Sequence, residues 1–237
     1  MTFIHLLITQ FIAHTLADYY FQNDRLANQK NQLGFRSSFL KYHFIIVTAL
    51  SFLLSFQTSF WWVALLIGST HYIIDGTKPY INRSRILGKY AFFIDQNLHL
   101  LIILVLTWIY ASGKPSMPWV PIIWPMELSM VILCGMLILK PANILIKEIF
   151  KFYEISVPGT GDLPNAGKLI GLVERILVFT FIVIGEFQAV GFLIAAKSIL
   201  RFKNEDASKS EYVLIGTLLS FGIAIFLGLI TMTLIRS

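Results

Sequence analysis

Apolar runs long enough to cross a bilayer recur along the chain, near residues 3–22, 39–56, 60–77, 91–111, 122–140 and 212–235. A further apolar stretch covers roughly 168–202. A bilayer core takes about 20 residues of helix, and a spanning backbone must satisfy its own hydrogen bonds. This pattern predicts an all-α fold, a polytopic transmembrane bundle of about seven or eight spans. Composition agrees, with 56% hydrophobic and only 14% charged residues, where soluble domains carry about a quarter charged. The net charge of +6 needs no nucleic acid to explain it, because basic cytoplasmic loops produce it unaided. Membrane lipid is the expected partner, nucleic acid is not, and a homo-oligomer stays open.

The first 20 residues, "MTFIHLLITQFIAHTLADYY", lack a basic start and are interrupted by His14 and Asp18. They read as a retained first span rather than a cleaved signal. Cys134 sits alone in an apolar run, which fits a packing role.

Loop charge orients the spans. Arg25, Lys30, Arg36 and Lys41 separate the first and second spans, and Lys78, Arg83, Arg85 and Lys89 separate the third and fourth. The intervening connection "QTSF" has no cation, and the fourth-to-fifth has only Lys114. The basic loops are therefore expected inside and the N-terminus outside, as in a multi-pass protein of the bacterial inner membrane. Trp61, Trp62, Trp119 and Trp124 then fall at the outer interface. Lys140, Lys147, Lys151 and Lys168 precede the 168–202 stretch, and Arg201, Lys203 and Lys209 follow it. Both groups lie inside only if that stretch goes out and returns, with Gly185-Glu186 as the break. The segment "KPANILIKEIFKFYEI" reads as an interfacial helix and "SVPGTGDLPNAG" as a loop. Two halves result: 1–111 with four spans, and 112–237 with the rest.

The polar residues inside these spans carry the functional signal. Intramembrane ionisable groups are costly and usually functional. His14/Asp18, His71/Asp75 and Asp95/His99 are spaced i, i+4, which puts each pair on one helix face. His43 opens the second span. Given the loop orientation and 1.5 Å rise per residue, the four histidines lie about 6–12 Å below the cytoplasmic surface, and the three aspartates lie about 3–6 Å below it. Four helices thus bring imidazoles and carboxylates to one depth.

Imidazole and carboxylate are ligands of zinc, and of divalent iron or manganese. His14, His43, His71 and His99, with Asp75, are the expected metal ligands, zinc first. Asp18, Asp75 and Asp95 supply remaining ligands or a general base. One isolated pair of this kind is more often an interhelical hydrogen-bonded lock; three pairs and a fourth histidine at matched depth favour a site. His5 lies near the outer end of its span and reads as an interface residue. Gln22 and Gln96 adjoin the aspartates and are candidate substrate contacts, or ordinary helix-end polar groups. Lys78, with Arg83 and Arg85, is placed to hold a phosphate or simply to orient the loop. Gly76 to Pro79 are expected to end the third helix.

The second half carries Glu174, Arg175, Glu186, Lys197, Arg201 and Glu211. Glu174 and Arg175 should point to different sides of their helix. Lys197 and Arg201 present two cations at i, i+4, for an internal ion-pair network with Glu211 or for an anionic headgroup of the substrate.

The motifs "HTLADYYFQ", "HYIIDGTK", "FFIDQNLH", "NAGKLIGLVERILV", "GFLIAAKSILRF" and "EYVLIGTLLS" together resemble an uncharacterised bacterial integral-membrane family, domain of unknown function family 3307. The resemblance runs over essentially the whole chain. The first half is similar, more loosely, to the membrane-bound metal-dependent hydrolases associated with the LexA/SOS response, which share His/Asp pairs on early spans. That looser resemblance implies a candidate function class, metal-dependent hydrolysis; the common depth of the polar pairs points to a lipid or lipid-linked substrate at the cytoplasmic leaflet. A metal-ion or small-solute transporter and a non-catalytic membrane assembly protein are the alternatives.

Overall fold

The computed structural model describes residues 2–113, 125–155, 166–201 and 207–236. Among them the chain is all-α, with ten α-helices joined by short 3₁₀ and π turns. They divide into two compact units, Met1–Ser129 and Met130–Ser237.

In the first unit, α1 (Phe3–Thr15) is capped by Thr2, whose hydroxyl accepts from the His5 backbone N–H at 3.3 Å. The helix widens into a π turn at Leu16–Tyr20, closed by Phe21 N–H donating to the Leu16 carbonyl at 2.8 Å. Such π turns are rare and recur at functional positions, and this one carries Asp18. The polar helix α2 (Asp24–Leu33) starts on Asn23, which caps Leu26 N–H, and stops at Gly34 with φ +53°. A 3₁₀ turn over Gly34–Arg36 leads to α3 (Ser38–Ser55), and α4 (Trp61–Arg83) and α5 (Ala91–Ala111) follow.

One end of this unit has an apolar core of Leu6, Val47, Phe60, Val63, Ile67 and Ile103. A reciprocal Gln10–Ser51 pair ties α1 to α3, the Gln10 amide donating to the Ser51 carbonyl at 3.0 Å. Gly68 lets α3 and α4 close up, since a Cβ there would come within 2.0 Å of Thr48 Oγ1. The other end is filled by the histidines and aspartates.

The helix carrying His71 does not stop at Gly76–Pro79, as expected, but continues to Arg83. Proline has no N–H, so it deprives only the Asp75 carbonyl of its helical donor, and the remaining turns can still form. The first span likewise departs from a regular helix at Leu16, where the π turn begins.

In the second unit, α6 (Met126–Ile138, which begins in the first) meets α7 (Lys140–Phe152) at a bend of 43°. Then come α8 (Ala166–Ile184), α9 (Phe187–Arg201) and α10 (Ala207–Arg236). The stretch expected as a hairpin is broken where the sequence suggests. Gly185 adopts φ +89°, its N–H donates to the Ile182 carbonyl, and Glu186 N–H donates to Phe181, the paired bonds of a Schellman stop. Cys134 is buried beside Ile138 and Phe179.

Among the described residues, three segments are long and apolar enough to cross a membrane: Ser38–Ser55, Leu87–Ala111 and Ser210–Arg236. The bent α6/α7 pair makes a fourth if it forms one span. The others fall short for physical reasons. The π turn interrupts α1, α4 carries His71, Asp75 and Lys78, α8 carries Lys168, Glu174 and Arg175, and α9 is short. Trp61 and Trp62 are exposed at the start of α4. Trp119, Trp124, Lys114, Lys203 and the "SVPGTGDLPN" segment lie outside the described residues, as does the Lys209 side chain.

Candidate functional site

Four helices and the π turn of the first unit deliver seven buried ionisable side chains to one place. These are His14 from α1, Asp18 from the π turn, His43 from α3, His71 and Asp75 from α4, and Asp95 and His99 from α5. The i, i+4 spacings do what the sequence predicts: each pair shares a face, and the faces meet.

Four ligand atoms form the centre. His43 Nε2 lies 3.1 Å from Asp18 Oδ1, 3.1 Å from His71 Nε2 and 3.6 Å from Asp75 Oδ2. His71 Nε2 lies 3.1 Å from Asp18 Oδ1 and 3.4 Å from Asp75 Oδ2. A tetrahedron with arms of about 2.0–2.1 Å, the zinc–nitrogen and zinc–oxygen length, has edges of about 3.3–3.4 Å. The five separations bracket that edge.

The remaining members surround this centre. The His99 ring stacks on His71 with centroids 3.8 Å apart, and His14 sits 5.5 Å from His71 and 5.4 Å from His99. Neither ring nitrogen of His14 or of His99 has a hydrogen-bond partner, nor do Asp75 Oδ1 and Asp95 Oδ1. Buried polar atoms are almost always bonded, and these six, gathered in one cluster, are not. His/Asp triads with ligand atoms within 4.8 Å of one another include His14/Asp18/His71, His43/His71/Asp75 and Asp75/Asp95/His99, and the distances above add Asp18/His43/His71.

Two lysines complete the electrostatics. Lys30 reaches in from α2 and donates to Asp75 Oδ2 at 2.7 Å, with both side chains buried. Burial alone would lower the pKa of its ammonium, yet the Asp75 and Asp18 carboxylates hold it above the ordinary lysine value. Sequence reasoning counted Lys30 only among the loop cations. Its one distinguishing signal is its place beside a glycine–aromatic turn that folds α2 back onto α4. Lys78 donates to Asp95 Oδ2 at 2.8 Å. Lys30 and Lys78 thus offset two of the three carboxylates, before any charge on the imidazoles is counted.

Gln96 donates to Asp95 Oδ2 at 3.1 Å and accepts from the Tyr19 hydroxyl at 2.8 Å, so it orients Asp95. Gln22 donates to the Asp18 carbonyl at 2.9 Å. His5 stands apart and pairs with Ser129 Oγ at 3.0 Å.

In the second unit, Glu174 and Arg175 point to different sides, as their spacing requires. Lys197 Nζ bonds Glu174 at 2.5 Å, while Arg175 is buried among neutral acceptors. Glu186 and Glu211 are exposed. The Arg201 side chain lies outside the described residues.

No curated protein and no solved structure matches the chain. Residues 6–139, which include all seven histidines and aspartates of the cluster, match DUF3307, a family described as protein of unknown function, and the chain belongs to that family.

Proposed function

We propose that the first unit is a membrane-embedded divalent-metal centre, and that the protein is a metal-dependent hydrolase of a lipid or lipid-linked ester, phosphoester or amide at the cytoplasmic leaflet. The observation that carries this reading is the 3.1–3.6 Å spacing of His43 Nε2 and His71 Nε2 from one another and from Asp18 Oδ1 and Asp75 Oδ2. Zinc fits that donor set first, with iron or manganese as alternatives. The ligand set shifts from four histidines with Asp75 to two histidines and two aspartates. Asp18 thereby becomes a ligand, and His14 and His99 become its neighbours.

A bound divalent ion supplies Lewis acidity and lowers the pKa of a coordinated water to about 7. The chain's own groups do the rest. Lys30 holds Asp75 in place through Oδ2. Asp95, oriented by Lys78 and Gln96, keeps Oδ1 free, and His14 and His99 keep both ring nitrogens free, so these three are candidates to take a proton. Lys78 lies at the same edge, where a developing anion on the substrate would meet it.

The membrane arrangement belongs to this proposal. Eight spans, the N-terminus outside and a place in the bacterial inner membrane put the centre at the cytoplasmic side. The α1/π, α3, α4, α5, α6, α8, α9 and α10 segments are the eight crossings.

Metal analysis of detergent-purified protein tests the reading. About one zinc, iron or manganese ion per chain is expected, lost in His43→Ala and His71→Ala, together with metal-dependent release of product from phospholipid vesicles. A metal-free wild-type protein whose properties are unchanged by His71→Ala would sink it.

A further inference from the structure

The second unit holds a cavity of about 700 Å³ between α7, α8, α9 and α10. Its walls are largely apolar, with Ile146, Phe150, Ile170 and Val213 among them. Its charge is one-sided. Four cations line it, Lys147, Lys168, Arg175 and Lys197, against a single carboxylate, Glu174. That carboxylate is already engaged by Lys197 at 2.5 Å. Among the described residues, Lys147, Lys168 and Arg175 are left with three positive charges and no acid in the lining.

Arg175 is the most telling of them. It is 1% exposed, and a buried guanidinium ordinarily has a carboxylate beside it. Here Nε donates to the Ile138 carbonyl at 2.6 Å, Nη2 to Asn143 Oδ1 at 2.6 Å and Nη1 to Ser220 Oγ at 3.0 Å. These neutral acceptors fix the fork, and none of the hydrogen bonds it makes goes to a carboxylate; Glu174, already engaged by Lys197, acts on it only through space. Gly171, also in the lining, keeps the space over Nη1 clear, since a Cβ there would stand 3.3 Å from it.

An apolar chamber lined by a buried guanidinium that bonds no carboxylate, by two exposed lysines and by an excess of cations suits an amphiphile with an anionic phosphate head. We propose that this cavity is a binding site for an anionic phospholipid. Its phosphate would be held by Lys147, Lys168 and the Arg175 fork, and its acyl chains would lie along the apolar wall. The site is independent of the metal centre, since every residue that lines it belongs to the second unit.

The test uses the full-length protein in detergent, with native mass spectrometry and titration of phosphatidylglycerol, phosphatidylcholine and inorganic phosphate. Phosphatidylglycerol is expected to be retained in preference to phosphatidylcholine. Lys147→Ala/Lys168→Ala, which changes only exposed side chains, should weaken it about tenfold or more. Gly171→Leu should exclude it by filling the space over Arg175, with the metal content of the first unit unchanged. Equal retention of the two lipids, or an unaltered affinity in the double variant, would overturn the assignment. Displacement of the lipid by millimolar inorganic phosphate would also overturn it, in favour of a soluble anion.

Discussion

His43 Nε2 and His71 Nε2 face one another at 3.1 Å in the interior of the first unit, and each is also within 3.6 Å of carboxylate oxygens of Asp18 and Asp75. If both nitrogens carried protons for the carboxylates, the two N–H groups would oppose each other. An ion between them removes the conflict, because both nitrogens then present lone pairs. A ligand that binds only the folded state at 100 times its Kd adds about 2.7 kcal/mol of stability. The wild-type unfolding midpoint is therefore expected to rise with zinc and fall with a chelator, and to stop responding in His43→Gln and His71→Gln. A wild-type midpoint indifferent to both treatments would count against an ion.

Lys30 gives a second prediction. Removing one partner of a buried ion pair costs about 3–5 kcal/mol, because the other charge stays buried alone. Lys30→Met should destabilise the protein by that order in a denaturant titration. Adding Asp75→Asn should recover part of the loss. Simple additivity of the two changes would mean that the 2.7 Å contact carries no coupling.

The third concerns how Lys30 is brought in. Gly34 has φ +53°, and a Cβ there would lie 2.4 Å from the Gly76 carbonyl oxygen. A Cβ on Gly76 would instead meet the Phe35 ring at 2.2 Å, and a ring can swing aside where a backbone carbonyl cannot. Gly34→Ala is thus expected to cost more than Gly76→Ala, by about 1–3 kcal/mol, and to lower metal affinity by lifting α2 from α4. Equal midpoints for the two variants would refute this ordering.

Gly185 gives the fourth. Its φ of +89° closes α8 in a conformation that side chains resist, so Gly185→Ala should destabilise by about 1 kcal/mol, with Gly185→Asn milder. Thermal unfolding of the three proteins in the same detergent decides it; an alanine variant as stable as wild type would contradict the strained stop.

Much of the site was legible without coordinates because the helix has a fixed period. His71 and Asp75 must share a face, as must His14 with Asp18 and Asp95 with His99, whatever surrounds them. The break at Gly185 was legible too, since glycine and a charged neighbour interrupt an apolar run. Lys30 was not. Its charge looks like that of any loop lysine, and only the return of α2 across α4, through Gly34 and Gly76, buries it against Asp75.

By itself, then, the sequence determined the all-α class, the apolar segments and the set of histidines and aspartates that share helix faces. These follow from local period and hydropathy, which need no knowledge of neighbours. Tertiary structure decided which atoms converge. It placed His43, His71, Asp18 and Asp75 at the centre and His14 and His99 around them. It widened α1 into the π turn that carries Asp18, and it buried Arg175 with hydrogen bonds to neutral acceptors alone. Those outcomes depend on helix rotation and close approach, set by contacts between residues far apart in the chain.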